Sequence, residues 1–251
     1  DHPLHGEMPC APMDSAWLEV GEDGSGAFVR VGGEYEYVMG FGDHYRAGPS
    51  VTLRAGSALF DIGMDVRNLA GKPMELMYMA HMNYAYIADG QFVEPLGIEV
   101  TRVRSSVPAH VKPTPAWSAY ITELTEDPSR LQTLNAPELY DPEIVCFFDG
   151  VKADANGDAH FLLKHTDGPA FYTRYKPAQF DHAARWILHN ADQQVAAFVL
   201  PATCEPEGYL AEKAKGNVRV LDAGERAAFS VTTGYLAAEE VRQIEGDLKR
   251  L

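Results

Sequence analysis

A chain of 251 residues with 46% hydrophobic content can bury a substantial core, and residues 1–251 are expected to form one all-β domain. A formal net charge of −15 argues against nucleic acid or an anionic membrane as partner, because both would repel an acidic surface. Cys10, Cys146 and Cys204 are far apart and lack the paired spacing of a zinc or redox motif, so they read as reduced thiols. No run approaches the ~18 apolar residues of a spanning helix, and no charged-then-apolar leader opens the chain, so a cytoplasmic home is expected. The sequence begins at Asp1 without an initiator methionine, which implies that an upstream segment is missing.

In chain order the pattern is one of many short strands. Ser57–Val66 and Ala159–Lys164 alternate in polarity over a few residues, the period of a half-buried strand. The same reading extends over Gln194–Pro201 and Glu225–Tyr235. Turn residues punctuate them at Glu22–Gly26, Leu69–Pro73, Asp154–Asp158 and Thr166–Pro169. Asp149–Asp158 lacks the ligand spacing and closing glutamate of a calcium loop and reads as a β-turn. Long amphipathic helices do not alternate with the strands, so an antiparallel β-sandwich is expected rather than a parallel α/β sheet. Two stretches depart from it. Val107–Pro142, rich in proline, reads as a long excursion. Ala237–Leu251 reads as a short C-terminal helix with Val241, Ile244, Leu248 and Leu251 on one face, packed against the sheet.

Two histidine motifs stand out: His5 in Leu4–Pro9 (LHGEMP), and His81 in the strand-like apolar run Tyr78–Tyr84 (YMAHMNY). A histidine in an apolar strand either satisfies a core hydrogen bond or points into a cavity, and two such sites suggest a polar pocket for a small molecule. Phosphate-cradling glycine loops, nucleophile elbows and dinucleotide fingerprints are absent from the sequence.

The order of several stretches resembles the aldose 1-epimerase (galactose mutarotase-like) family, in particular its bacterial, functionally unassigned epimerase-like branch. These are Pro3–Glu7 (PLHGE), Phe41–Arg46 (FGDHYR), Asp65–Met74 (DVRNLAGKPM), Tyr78–Tyr84, and Leu200–Gly208 (LPATCEPEG). The resemblance implies a large antiparallel β-sandwich (supersandwich) whose concave face binds a sugar. It also implies that the family's opening strands are absent from this sequence, which would favour pairing with a separate N-terminal segment or a homo-oligomer.

Opening a sugar ring needs one group to take the C1 hydroxyl proton while another donates to the ring oxygen. Histidine and a carboxylate suit the two jobs near neutral pH. By resemblance, His81 matches the family's general acid and His5 a histidine that helps hold the sugar. Asn83 shares the face of His81 by the two-residue strand period. The family's late strand often carries a glutamate directly before the loop proline, where this chain has Leu200. Glu205 is therefore the candidate relocated base, and Glu207 a residue near the pocket. Trp186, Arg46 and His44 are further candidate liners, since sugars are gripped by hydrogen-bonding groups with an aromatic ring beneath. For Trp186 a core position, and for Arg46 a surface ion pair, are the competing readings. The expected activity is anomer interconversion of an aldose or acidic sugar without metal or other cofactor. Two alternatives stay open: a metal-dependent isomerase or lyase using His5, His81 and a loop glutamate, and a non-catalytic carbohydrate-binding protein.

Overall fold

The computed structural model describes residues 5–97, 100–109 and 111–250. Its strands are β1 (Ser15–Asp23), β2 (Gly26–Val38), β3 (His44–Arg54), β4 (Leu59–Asn68), β5 (Met74–Leu76), β6 (Gln91–Val93), β7 (Thr101–Val103), β8 (Ile144–Phe148), β9 (Ala159–Lys164), β10 (Ala170–Tyr175), β11 (His182–His189), β12 (Gln194–Ala202), β13 (Arg219–Leu221) and β14 (Arg226–Leu236). The α-helices among the described residues are α1 (Pro115–Glu126), α2 (Tyr209–Lys215) and α3 (Ala238–Leu248). The expected all-β class is what is found. The runs read as strands from their alternation reappear as β4, β9, β12 and β14.

The chain groups into two compact units. The first comprises Asp1–Leu76 and Arg219–Thr232. In it β1, β2, β3 and β4 lie in order and pair antiparallel, and the Glu22–Gly26 turn closes the first hairpin. The first part of β14 flanks β4, where Thr232 donates to Asp61 at 2.6 Å. A short pair, β13 with β5, is tied back by Asn68, whose side-chain amide donates to the carbonyls of Leu221 and Asp222.

The second unit comprises Met77–Val218 and Thr233–Leu251. It holds a four-stranded antiparallel sheet in the order β12-β11-β8-β7, together with the run β10-β9-β6. The four-stranded sheet is buried on both faces. On one face Arg185, 2% exposed, ion-pairs with Glu94 and stacks 3.7 Å from the Phe92 ring centroid. The other face carries Val145, Phe147, Ala184, Ala197 and Leu200 as a packed apolar floor, with Met79 and Trp186 against it.

The excursion over Val107–Pro142 is not an irregular loop. It contains α1, which Thr114 caps by accepting from the Trp117 amide at 3.1 Å, with Pro115 in the first turn where a missing N–H is harmless. Trp117, Tyr120, Ile121 and Leu124 are buried at i, i+3, i+4 and i+7, one stripe of a helix. Asp127 precedes Pro128 and leaves the helical region, which ends the element. α3 matches the expected C-terminal helix: Val241 is fully buried, Ile244 and Leu248 are half-buried, and Leu251 lies outside the described residues. No helix among the described residues is long and apolar enough to cross a membrane.

Candidate active site at the rim of the four-stranded sheet

The expected strand through Tyr78–Tyr84 is instead an irregular segment beside β12. It bonds to β12 at both ends, through Ala80 N–H to the Pro201 carbonyl (2.9 Å) and Ala196 N–H to the Tyr84 carbonyl (3.0 Å). Between those anchors the chain departs from the ladder, so side-chain direction there follows the anchors and not a strand period. Tyr84 turns inward against Phe171 and Phe198, and its hydroxyl meets Thr173 at 2.9 Å. His81 and Asn83 are exposed. His81 is therefore not a core histidine. Its ring meets Trp186 edge-on, with centroids 6.1 Å apart.

Trp186 follows the buried Arg185 on β11, and the alternation of the strand turns it to the opposite face, over the apolar floor. It is half-buried, packed on the core and polar at its tip: the indole N–H donates to Glu143 Oε2 at 2.7 Å. The core reading of Trp186 thus holds for its ring, while its polar tip is held by a carboxylate. A second tryptophan fixes the same glutamate, because Trp117 on α1 donates to the Glu143 backbone carbonyl at 2.8 Å. Arg104, 9% exposed at the side chain, occupies Glu143 Oε1 and lies 3.9 Å from Glu207. Glu207 also accepts from the Ser106 hydroxyl at 3.1 Å. His81, Trp186, Glu143, Arg104, Glu207 and Ser106 form one connected set.

Beside it lies a separate cradle around Glu205. This carboxylate is buried, with one oxygen taken by Arg102 and the other by Lys215 at 2.6 Å. Burial alone would raise its pKa, but the hydrogen bonds and charges of Lys215 and Arg102 outweigh burial and hold it below the usual glutamate value. The Arg102 guanidinium lies over the Phe147 ring at 4.9 Å. Glu212, fully buried on α2, accepts from the Glu205 amide (2.9 Å), Lys215 (2.8 Å) and Asn217 (2.8 Å). Gly216 stops α2 in the left-handed region at φ 78°, where its N–H caps the helix carbonyls.

The other candidates sit in the first unit. His5 is exposed in a turn ahead of the short 3-10 segment Met8–Cys10. His44 and Arg46 point to the same face of β3 and share one acid: His44 Nε2 lies 2.8 Å from Glu36 Oε1, and Arg46 donates to Glu36 Oε2 at 3.1 Å. Arg46 is thus in a surface ion pair. Cys146 and Cys204 are buried free thiols, their pKa values pushed up to about 12 and about 11 chiefly by burial, so neither is poised as a nucleophile. The turn at Asp154–Asp158 closes through backbone bonds, Gly157 N–H to the Asp154 carbonyl (2.9 Å) and Asp154 N–H to the Asp158 carbonyl (2.8 Å), while the Asp154 carboxylate accepts from the Asn156 and Asp158 amides, as expected for a β-turn. Among the described residues, no group of three or more His, Cys, Asp or Glu side chains is arranged to hold a metal ion.

Glu143, Arg104 and Ser106 are the members that sequence reasoning missed. Each is an ordinary polar or charged residue near a short strand, and nothing local marks them. The usable signal was Thr114-Pro115 followed by a helical apolar stripe, which predicts α1 and hence an element able to pin Glu143.

A family model described as Domain of unknown function (DUF4432) matches residues 1–234. The chain belongs to that family. No curated protein matches this DUF4432 chain. Among solved structures it is similar to a putative aldose 1-epimerase from Klebsiella pneumoniae subsp. pneumoniae, at TM-score 0.79 and 17% identity over 98% of this chain and 60% of that one. A galactose mutarotase-like protein from Lactobacillus casei is similar at TM-score 0.55 and 11% identity, over 87% of this chain and 73% of that one. A TPR-domain containing protein from Parabacteroides distasonis is also similar, at TM-score 0.56 and 10% identity, over 89% of this chain and 36% of that one. At such identities the likeness establishes the fold: this chain has the galactose mutarotase-like sandwich. The chain spans 60% of the length of the Klebsiella protein.

Proposed function

We propose that this chain is an aldose 1-epimerase-like enzyme that binds a sugar at the rim formed by His81, Trp186, Arg104 and Glu207. The observation that carries the reading is the exposed imidazole set against an indole whose N–H is anchored on a carboxylate. Such an indole is a rigid platform for an apolar sugar face, with an acid–base group at its edge.

His81 donates to the ring oxygen while Glu207 takes the C1 hydroxyl proton. The ring C1–O bond breaks, the C1–C2 bond rotates in the open aldehyde, and reclosure with the roles reversed yields the other anomer. The charge of the partners favours Glu207 as the acceptor. Both oxygens of Glu205 are taken by Lys215 and Arg102, and both of Glu143 by Trp186 and Arg104. A carboxylate held below its usual pKa by two cations is a poor base, which weighs against Glu205 in the role expected for it. Both oxygens of Glu207 accept from the neutral Ser106 hydroxyl (3.3 and 3.1 Å), and the Arg104 guanidinium stands off at 3.9 Å.

The test is anomer exchange by saturation-transfer NMR across neutral, deoxy and acidic sugars, before and after chelation. Exchange that survives chelation and fails in Glu207→Gln supports the reading. Sugar binding without exchange would make the chain a carbohydrate-binding protein, and exchange abolished by chelation would point to a metal-dependent reaction.

A further inference from the structure

β1, β2 and β3 present an apolar ladder to one side. Leu18 pairs with Val31 and Val31 with Val51; Val20 pairs with Val29 and Val29 with Leu53. Directly opposed residues point to the same face, so these six side chains form one patch two rows deep and three strands wide. Each is exposed, from 37% at Val51 to 74% at Val20. Farther along the same face the equivalent positions, Ala47 on β3 with Met64 and Val66 on β4, are buried. The core pattern of the face thus continues past the point where its cover ends.

We propose that this face is where a second copy of the chain packs, sheet on sheet, about a two-fold axis. A patch of valines and leucines is complementary to itself, as a two-fold interface requires. The six side chains leave on the order of 500 Å² open, at the upper end of the apolar patch an ordinary monomer exposes. Two such faces together bury about 1,000 Å², which reaches the threshold for a specific interface. Charge does not oppose the contact locally. Glu22 borders the patch at the end of β1, and the other charged residues of the same strands lie on the opposite face, where Arg30 pairs with Glu19 (3.1 Å) and Arg54 with Asp23 (2.8 Å). Strands of the two copies cross at about −30°, with a dry core between the sheets.

Sedimentation equilibrium tests this directly. Wild type is expected at twice the 27.6 kDa of the single chain, and Val31→Glu at the single-chain mass with an unchanged circular dichroism spectrum. Should Val31→Glu unfold, Val20→Thr with Val29→Thr keeps strand propensity and is expected to raise the dissociation constant at least tenfold. A wild type that stays single at the highest concentration attained overturns the proposal. So does a dimer indifferent to these substitutions, or a longer form of the protein that covers the face itself and remains single.

Discussion

The cradle around Glu205 and the rim around Glu207 are two residues apart on one loop, yet they treat a carboxylate in opposite ways. At Glu205 the chain delivers a cation from β7 and another from the end of α2, and buries the acid beneath them. At Glu207 the same loop emerges to meet a hydroxyl, with a guanidinium at 3.9 Å. Identical side chains become a fixed anchor and an available acceptor because their partners come from elements far off in sequence. The cradle ties the loop to β7 and α2; the rim is where we propose the chemistry.

The comparison breaks most visibly through the rim. His81→Gln and Glu207→Gln are each expected to lower anomer exchange by roughly 100-fold or more, with the fold intact by circular dichroism. Retention of near-normal exchange by either variant would remove that residue from its role.

Glu205→Gln is expected to act on stability instead, lowering it by roughly 1–3 kcal/mol in urea unfolding, a range reduced because Arg102 and Lys215 are partly solvated. Since the folded-state pKa of Glu205 lies below its unfolded value, its stabilisation is present above the unfolded value and lost as pH falls through the folded one. Wild type should therefore lose stability on acidification more steeply than Glu205→Gln. Parallel curves would mean that the cradle contributes nothing.

Trp186→Phe keeps a ring but removes the N–H to Glu143, and is expected to raise KM several-fold while costing about 1 kcal/mol of stability. An unchanged KM would separate the indole from the sugar. At the small end, Arg46→Ala at the exposed Glu36 pair is expected to leave the thermal midpoint where it was. A marked drop would show that the His44–Glu36–Arg46 cluster is more than a surface pair.

Local pattern was sufficient for much of the fold. β9 matches the alternating run Ala159–Lys164 residue for residue, β4, β12 and β14 lie within two residues of their predicted bounds, and the helical spacing at Val241, Ile244 and Leu248 is α3. α1 was legible too, in Thr114-Pro115 and the stripe from Trp117 to Leu124, but the prolines around it masked the signal. The Tyr78–Tyr84 segment shows the limit of periodicity. Its composition reads as a strand, whereas its anchoring on β12 at two separated points makes it an irregular edge that leaves His81 exposed.

By itself the sequence determined the all-β class, the hairpin turns at Glu22–Gly26 and Thr166–Pro169, the C-terminal helix and His81 and Trp186 as candidates, because each depends on side chains a few residues apart, whereas the turns at Leu69–Pro73 and Asp154–Asp158 join strands that do not pair. Which glutamate is held between two cations and which meets a neutral hydroxyl was decided only by the tertiary structure. Arg102 and Lys215 reach Glu205 from β7 and α2, and Arg104 and Trp186 reach Glu143 from beside β7 and from β11; a carboxylate's basicity follows from the charges beside it in space.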